Sequence, residues 1–114
     1  MDSMVIVRLE GGIHHENCRR LELELARALE HRPRRLVVDL SRLDFCDTAG
    51  LNSLLRIQES ARADTRLVLA APSRPVQGLL DITGTDTVFT ISPSVRAALT
   101  AADPSGHTRD ELPS

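Results

Sequence analysis

The residues with chemical potential in this chain crowd into one stretch, Asp44-Phe45-Cys46-Asp47-Thr48-Ala49-Gly50-Leu51. A carboxylate, a hydroxyl and two small residues stand just ahead of LNSLLRIQESARA, whose apolar spacing reads as a helix starting near Asp47. At such a start four backbone N–H groups lack intrahelical partners, so negative charge is stabilised there. With Asp47 at the cap, Thr48 enters the first turn. A phosphate on its hydroxyl would add about -2 of charge within the field of the helix dipole. The plainer role is structural: Asp47 caps, Thr48 fills the turn, and Ala49-Gly50 allow close packing. Spacing alone favours that plainer role.

Other chemistry-bearing residues carry weaker signals. His14, His15 and Glu16 are adjacent, and neighbouring residues rarely direct their ligand atoms to one ion; no downstream His or Cys has zinc-finger spacing, so no metal site is expected. A solvent-facing turn accounts for them, with His14 a candidate local charge switch. Cys46 stands near a helix start, where a thiol can be activated. It lacks both an identifiable base and the phosphatase arrangement of Cys, five residues and Arg, because position 52 is Asn. Cys46 and Cys18 are therefore expected to be packing residues. Asp39, Asp44 and Asp47 invite a magnesium reading, but only Asp47 has a clear place at the helix start, and the other two are expected at a strand end and in a loop. Arg32, Arg34 and Arg35 flank Pro33, with Arg19 and Arg20 on the preceding helix; Glu22, Glu24 and Glu30 are candidate partners for them.

These residues must be positioned by a scaffold of 114 residues, the size of one domain. A chain of this length buries roughly two-thirds of its unfolded surface, enough for a core without disulfides or metals. All 14 basic side chains are Arg, so Schiff-base catalysis, a Walker-type phosphate lysine and pyridoxal chemistry are excluded. Before Asp103 the chain carries 13 Arg against 13 Asp plus Glu, and Phe45 and Phe89 are its only aromatic residues. It therefore has neither the field nor the stacking surface for nucleic acid. No apolar run reaches the 18 residues of a membrane span, no leader is visible, and two cysteines are too few for a disulfide framework. A cytoplasmic protein without membrane insertion or cofactor is expected.

Along the chain, MVIVRLE is a strand expected to stop at Gly11-Gly12. A helix over 16–30, with Asn17 as a candidate cap, places Cys18, Leu21, Leu25, Ala28 and Leu29 on one face. RLVVDL, from Arg35 to Leu40, reads as a strand buried on both faces. The helix after Asp47 shows Leu51, Leu54, Leu55, Gln58 and Ala61 on one face. RLVLA is a strand, and Ser73 opens a helix with Val76, Leu79, Leu80 and Thr83 that Gly84 closes. Val88 to Ile91 is a short strand, and Ser92-Pro93 opens a last helix to about Ala102. Residues 103–114 form a polar tail, expected to be mobile. Strands alternating with helices predict an α/β fold with a mainly parallel sheet, whose sites sit where strand carboxyl ends meet helix amino ends.

From Met4 to Ala102 the chain resembles a STAS domain, the module shared by anti-sigma factor antagonists and the cytoplasmic part of sulfate transporters. Three stretches carry the resemblance: RLVVDLSRLDFCDTAGLNSLL, RLVLAAPSRPVQGLLDITGTDTVF and SPSVRAAL. The first looks like the family's strand, acidic turn and Asp-Ser-Ser/Thr-Gly-Leu signature opening a helix. The resemblance implies a small mixed, mainly parallel sheet of about four to five strands with about four helices, a domain over 1–102, and a regulatory phosphoacceptor directly after the signature aspartate, here Thr48. It further implies that Asp47, Thr48, Ala49, Gly50, Leu51, Asn52 and His14 meet a partner, an anti-sigma factor acting as a serine/threonine kinase, and that docking frees a sigma factor. Where antagonists read Gly-Glu-Leu-Asp this chain has Gly11-Gly12-Ile13-His14. Two other roles share the signature: an accessory subunit of a lipid-transporting ABC system, with Thr48 a contact residue, and an interaction module that is not phosphorylated. No base, nucleophile and pocket come together, so the protein is expected to be acted upon and not itself an enzyme.

Overall fold

A computed structural model describes residues 3–61 and 65–100; the expected polar tail, 103–114, lies outside the described residues. Its elements are β1 (Met4–Ile13), α1 (Cys18–Glu30), β2 (Arg35–Cys46), α2 (Thr48–Ser60), β3 (Arg66–Ala70), α3 (Arg74–Thr83), a 3-10 turn (Thr85–Thr87), β4 (Thr90–Ser92) and α4 (Val95–Thr100). The four strands lie in the order β1-β2-β3-β4, and every neighbouring pair is parallel. Each crossover therefore needs a helix, and each helix must cover a sheet face.

The two faces are covered unequally. Leu36, Val38 and Leu40 of β2 and Leu67 and Leu69 of β3 pack with Leu21 and Leu25 of α1, Leu51, Leu54 and Ile57 of α2, and Val76 and Leu80 of α3. Alternate residues Val37, Val68 and Ala70 turn the other way and meet Ala98 of α4. Leu36 to Leu40 are all buried, as a central strand with helices on both sides requires. The Arg35 guanidinium fastens α4 by donating to the carbonyls of Ala98 at 2.7 Å and Leu99 at 3.0 Å, so one arginine of the Pro33 cluster ties the last helix to the sheet.

Several boundaries differ from the sequence expectations, each for a local reason. β1 does not stop at Gly11-Gly12 but continues to Ile13, with register irregularities between Arg8 and Glu10 and between Gly11 and Gly12. β2 does not end at Leu40: SRLDFC extends beside that longer β1 to Cys46. What reads as a polar loop is the outer half of a strand pair, since Leu43 is fully buried while Arg42 and Asp44 face out. α1 begins at Cys18, because Asn17 turns its side chain back into the preceding loop. On α2, Gly50, Ser53 and Ile57 join Leu51 and Leu54 in the buried face, while Leu55 and Gln58 are only half-buried and Ala61 lies past the helix.

The carboxy-terminal elements are shifted too. Ser73 stands at the α3 start, but its hydroxyl donates to the Leu43 carbonyl instead of capping. The last strand is Thr90–Ser92 and not Val88–Ile91, because the Val88 and Phe89 N–H groups close the 3-10 turn onto the Thr85 carbonyl. Phe89 is buried all the same. α4 begins at Val95, with Ser94 accepting from the Ala97 N–H at 3.0 Å; Ser92 is spent on the strand.

Two α3 glycines make opposite demands. Gly84 ends the helix at φ +74°, a left-handed conformation that costs a residue with a Cβ, whereas Gly78 sits in mid-helix with open space where a methyl group would go. Urea unfolding should therefore show Gly78→Ala stabilised by about 0.5–1 kcal/mol and Gly84→Ala destabilised by about 1 kcal/mol. Equal shifts of the same sign would contradict this account of α3.

Candidate functional site

The loop after β1 and the start of α2 are built as one unit. Asp47 takes the N-cap position of α2 in extended conformation. Its Oδ1 accepts from the Gly50 N–H at 2.9 Å, and its Oδ2 accepts from the His15 N–H at 3.2 Å. The Asp47 N–H in turn donates to the Ile13 carbonyl at 3.0 Å. One carboxylate therefore satisfies an orphan donor of α2 and also a donor of the β1–α1 loop.

Gly50 explains how the two segments come so close. A Cβ there would lie 2.7 Å from Ile13 Cγ2 and 3.0 Å from the Ile13 carbonyl oxygen. No side chain fits without moving the backbone of β1. The β1–α1 loop is held separately: Asn17 accepts from the His14 N–H through Oδ1 and donates through Nδ2 to the Gly12 carbonyl, both at 2.8 Å.

The unit presents a short exposed surface. Thr48, the first residue of α2, is exposed, as is Asn52 one turn on; Ala49 is half-buried, and Gly50 and Leu51 face the core. His14 is half-buried in the loop that Asp47 grips, its Nδ1 3.9 Å from Glu16 Oε1. The signature residues and His14 are thus brought into two adjoining segments. Phe45 is 51% exposed beside this surface, and Gly12 approaches it closely enough that a Cβ would sit 3.4 Å from its ring. Phe45 therefore covers the Gly12 backbone as well as facing solvent.

Electrostatics mark Asp47 as a fixed anion. The Gly50 N–H first, with smaller help from the His15 and Ala49 N–H groups and the nearby His15 side chain, holds its carboxyl below the usual range. Cys46 moves the opposite way: burial first, and then the Asp47 charge, push its thiol up to about 11. A thiol so raised is a poor nucleophile at neutral pH, in keeping with a packing role. Asp39 is neither beside Asp47 nor at a strand end. It is buried within β2, where burial pushes its carboxyl up but the Ser41 N–H at 3.0 Å and Arg8 Nε at 3.3 Å outweigh that and hold it low. Asp44 is exposed on the outer half of the same strand. Among the described residues no three His, Cys, Asp or Glu side chains are placed to hold a metal ion.

A second feature adjoins the unit. Arg56 reaches from α2 to Glu22 of α1 with Nη2 at 2.9 Å and Nε at 3.1 Å, and also contacts Ser53 Oγ at 3.2 Å. Glu22 thus pairs across helices and not with the arginines near Pro33. The groove between these helices, about 560 Å³, is lined by His15, Cys18, Leu23 and Arg56 among others. The sequence reading missed this clamp and also the grip of Asp47 on the His15 backbone. Only Glu22 and Arg56, opposite charges on facing helices, left a signal in the sequence; a backbone donor leaves none.

The STAS domain family model matches residues 1–98. A Bordetella bronchiseptica protein, BtrV, described as a candidate anti-sigma factor antagonist, is 34% identical over 102 residues, covering 89% of this chain and 88% of its own. The crystal structure of an anti-sigma factor antagonist from Mycobacterium paratuberculosis superposes with a TM-score of 0.82 at 28% identity, covering 89% of this chain and 86% of that one. The anti-sigma factor antagonist SpoIIAA in its unphosphorylated form gives a TM-score of 0.68 at 19% identity, over 96% of this chain and 90% of that one, a likeness of fold alone. The chain belongs to the STAS domain family. Among the described residues no helix is long and apolar enough to cross a membrane.

The Asp47 arrangement has a pH signature. A carboxyl held low in the folded state stabilises the fold fully above its unfolded value of about 3.9 and loses that contribution as pH falls through the lower folded value. NMR titration of the Asp47 side chain should give a midpoint below that of an ordinary aspartate. Asp47→Asn should lose stability at neutral pH and show a shallower acid dependence; a normal Asp47 midpoint would contradict the cap geometry.

Proposed function

We propose that this STAS-domain chain is an anti-sigma factor antagonist, working in the cytoplasm and switched by phosphorylation at Thr48. The reading is carried by one observation: Thr48 is exposed at the first position of α2, on a turn pinned to the end of β1 by Asp47 and Gly50. Likeness along most of both chains to BtrV supports the role.

In the unmodified state, Thr48 and Asn52, with Asp47 and Ala49 beside them and His14 from the adjoining loop, form the docking surface for an anti-sigma factor, which then releases its sigma factor; Gly50 and Leu51, expected from the signature to meet the partner, are buried and act only by seating the turn. The partner is also the kinase. It passes the γ-phosphoryl group of ATP to Thr48 Oγ1, ADP departs, and the hydroxyl proton leaves to a base on the kinase. The antagonist is the substrate and contributes no catalytic group.

The physics of the switch follows from the turn. A phosphate of about -2 charge would sit next to a carboxylate that the Gly50 and His15 N–H groups already hold ionised. The donors of the helix start soften that crowding but leave a dense anionic point in the middle of the interface. Docking then requires desolvating that point and bringing it against a surface shaped for a neutral hydroxyl, so affinity falls. The fold itself is untouched, because Thr48 lies outside the core.

Incubating the full chain with its cognate kinase and ATP should add one phosphate by intact-mass analysis, and none to Thr48→Ala. Thr48→Ala should keep affinity for the unmodified-state partner, while Thr48→Glu should weaken it at least about tenfold. A phosphate retained in Thr48→Ala, or equal binding by all three forms, would defeat the proposal.

A further inference from the structure

The surface proposed for the anti-sigma factor is small. Thr48 and Asn52 are exposed, and Asp47, Ala49 and His14 are half-buried; a specific protein interface takes about 20–30 residues a side. A partner that recognises the α2 start must therefore cover neighbouring ground. On α2, Thr48, Asn52 and Arg56 follow at intervals of four and stand exposed along one side of the helix. Their row leads into the groove between α1 and α2. His15 joins the two features, since Asp47 grips its N–H at 3.2 Å and the same residue lines the groove.

The groove, of about 560 Å³, runs beside α2 toward Ser60, a span of about 18 Å at 1.5 Å per residue. Its lining is apolar and low: Cys18 and Ala26 of α1 are small, and Ile57 of α2 is buried. Leu23 stands on its α1 side, 55% exposed. Both walls are helices whose backbone groups are spent on their own hydrogen bonds, so no strand can add there. A third helix can, with one apolar side chain set between Cys18 and Ala26 and another against Leu23. Charge narrows the occupant further. Arg56 chiefly, and Arg19 more weakly, hold the Glu22 carboxyl below its usual range. Two guanidiniums thus face one carboxylate, and the groove keeps a positive charge for an acidic partner to meet.

We propose that the α1–α2 groove is the second part of the docking surface and receives an amphipathic helix of the anti-sigma factor, apolar toward Leu23, Cys18 and Ala26 and acidic toward Arg19. This rests on the antagonist reading given under the proposed function and extends it. The α2 start carries the switch, and the groove supplies the contact area that the start lacks. The clamp of Arg56 on Glu22 ties the two walls together, so the groove is formed before the partner arrives and little ordering is left to oppose binding.

Isothermal titration of the full chain with its anti-sigma factor separates the two claims. Leu23→Glu should weaken binding at least about tenfold. Arg19→Glu should weaken it about threefold or more at low ionic strength, an effect that fades as salt rises. Circular dichroism and thermal midpoint should stay unchanged in both, because both side chains are exposed. Wild-type affinity in Leu23→Glu, while Thr48→Glu still weakens binding, would overturn the groove and leave the Thr48 reading standing. Wild-type affinity in Arg19→Glu would overturn the acidic chemistry assigned to the occupant. No binding by the unmodified wild type would overturn both readings. Self-association of the chain by sedimentation velocity that is lost in Leu23→Glu, with anti-sigma factor binding intact, would give the groove to a second copy and overturn the proposal.

Discussion

The approach of α2 to the end of β1 is the constraint on which the candidate site depends. Gly50 lets the helix come within contact of Ile13, where a methyl group would overlap Ile13 Cγ2 at 2.7 Å. Asp47 then bridges both segments, accepting from Gly50 on the helix and from His15 on the loop. Close approach makes the carboxylate bridge possible, and the bridge orients the first turn. Thr48 follows at the first position of the helix, where its side chain is exposed. A signature of aspartate, hydroxyl, small residue and glycine is thus one mechanical device as well as a chemical one.

Much of this was legible in the sequence, and the failures have physical causes. The alternation of apolar runs and helical stripes specified a parallel α/β sheet, because buried parallel strands read as near-continuous Val and Leu. Asp47 as cap and Gly84 as helix stop were also legible, since both follow from local backbone chemistry. The long β1–β2 pairing was not. Its outer half contains Gly11, Gly12, Arg42 and Asp44, residues that read locally as turn or loop, and only pairing with a neighbouring strand makes them extended. Likewise Ser73 and Asn17 stand at cap positions but spend their side chains on Leu43 and on Gly12 and His14, respectively. Tertiary partners outcompeted the local ones.

Surface chemistry divides along the same lines. Three arginines serve separate structural ends: Arg35, from the cluster around Pro33, fastens α4, Arg8 neutralises buried Asp39, and Arg56 clamps α1 to α2 through Glu22. A lysine would make a poorer substitute wherever two acceptors must be met in one plane, as at Glu22. The exposed start of α2 stands outside this structural use.

The central claim is that the α2 start is the docking surface and that phosphorylation alters its charge without altering the fold. Amide chemical-shift mapping of the isotope-labelled chain against its anti-sigma factor, before and after phosphorylation, tests it most directly. The account predicts perturbations centred on residues 12–17 and 47–52 on binding. It also predicts that the phosphorylated chain keeps its core shifts and loses the binding perturbations. Perturbations centred on α3 or α4, or a phosphorylated form whose core shifts change throughout, would contradict it.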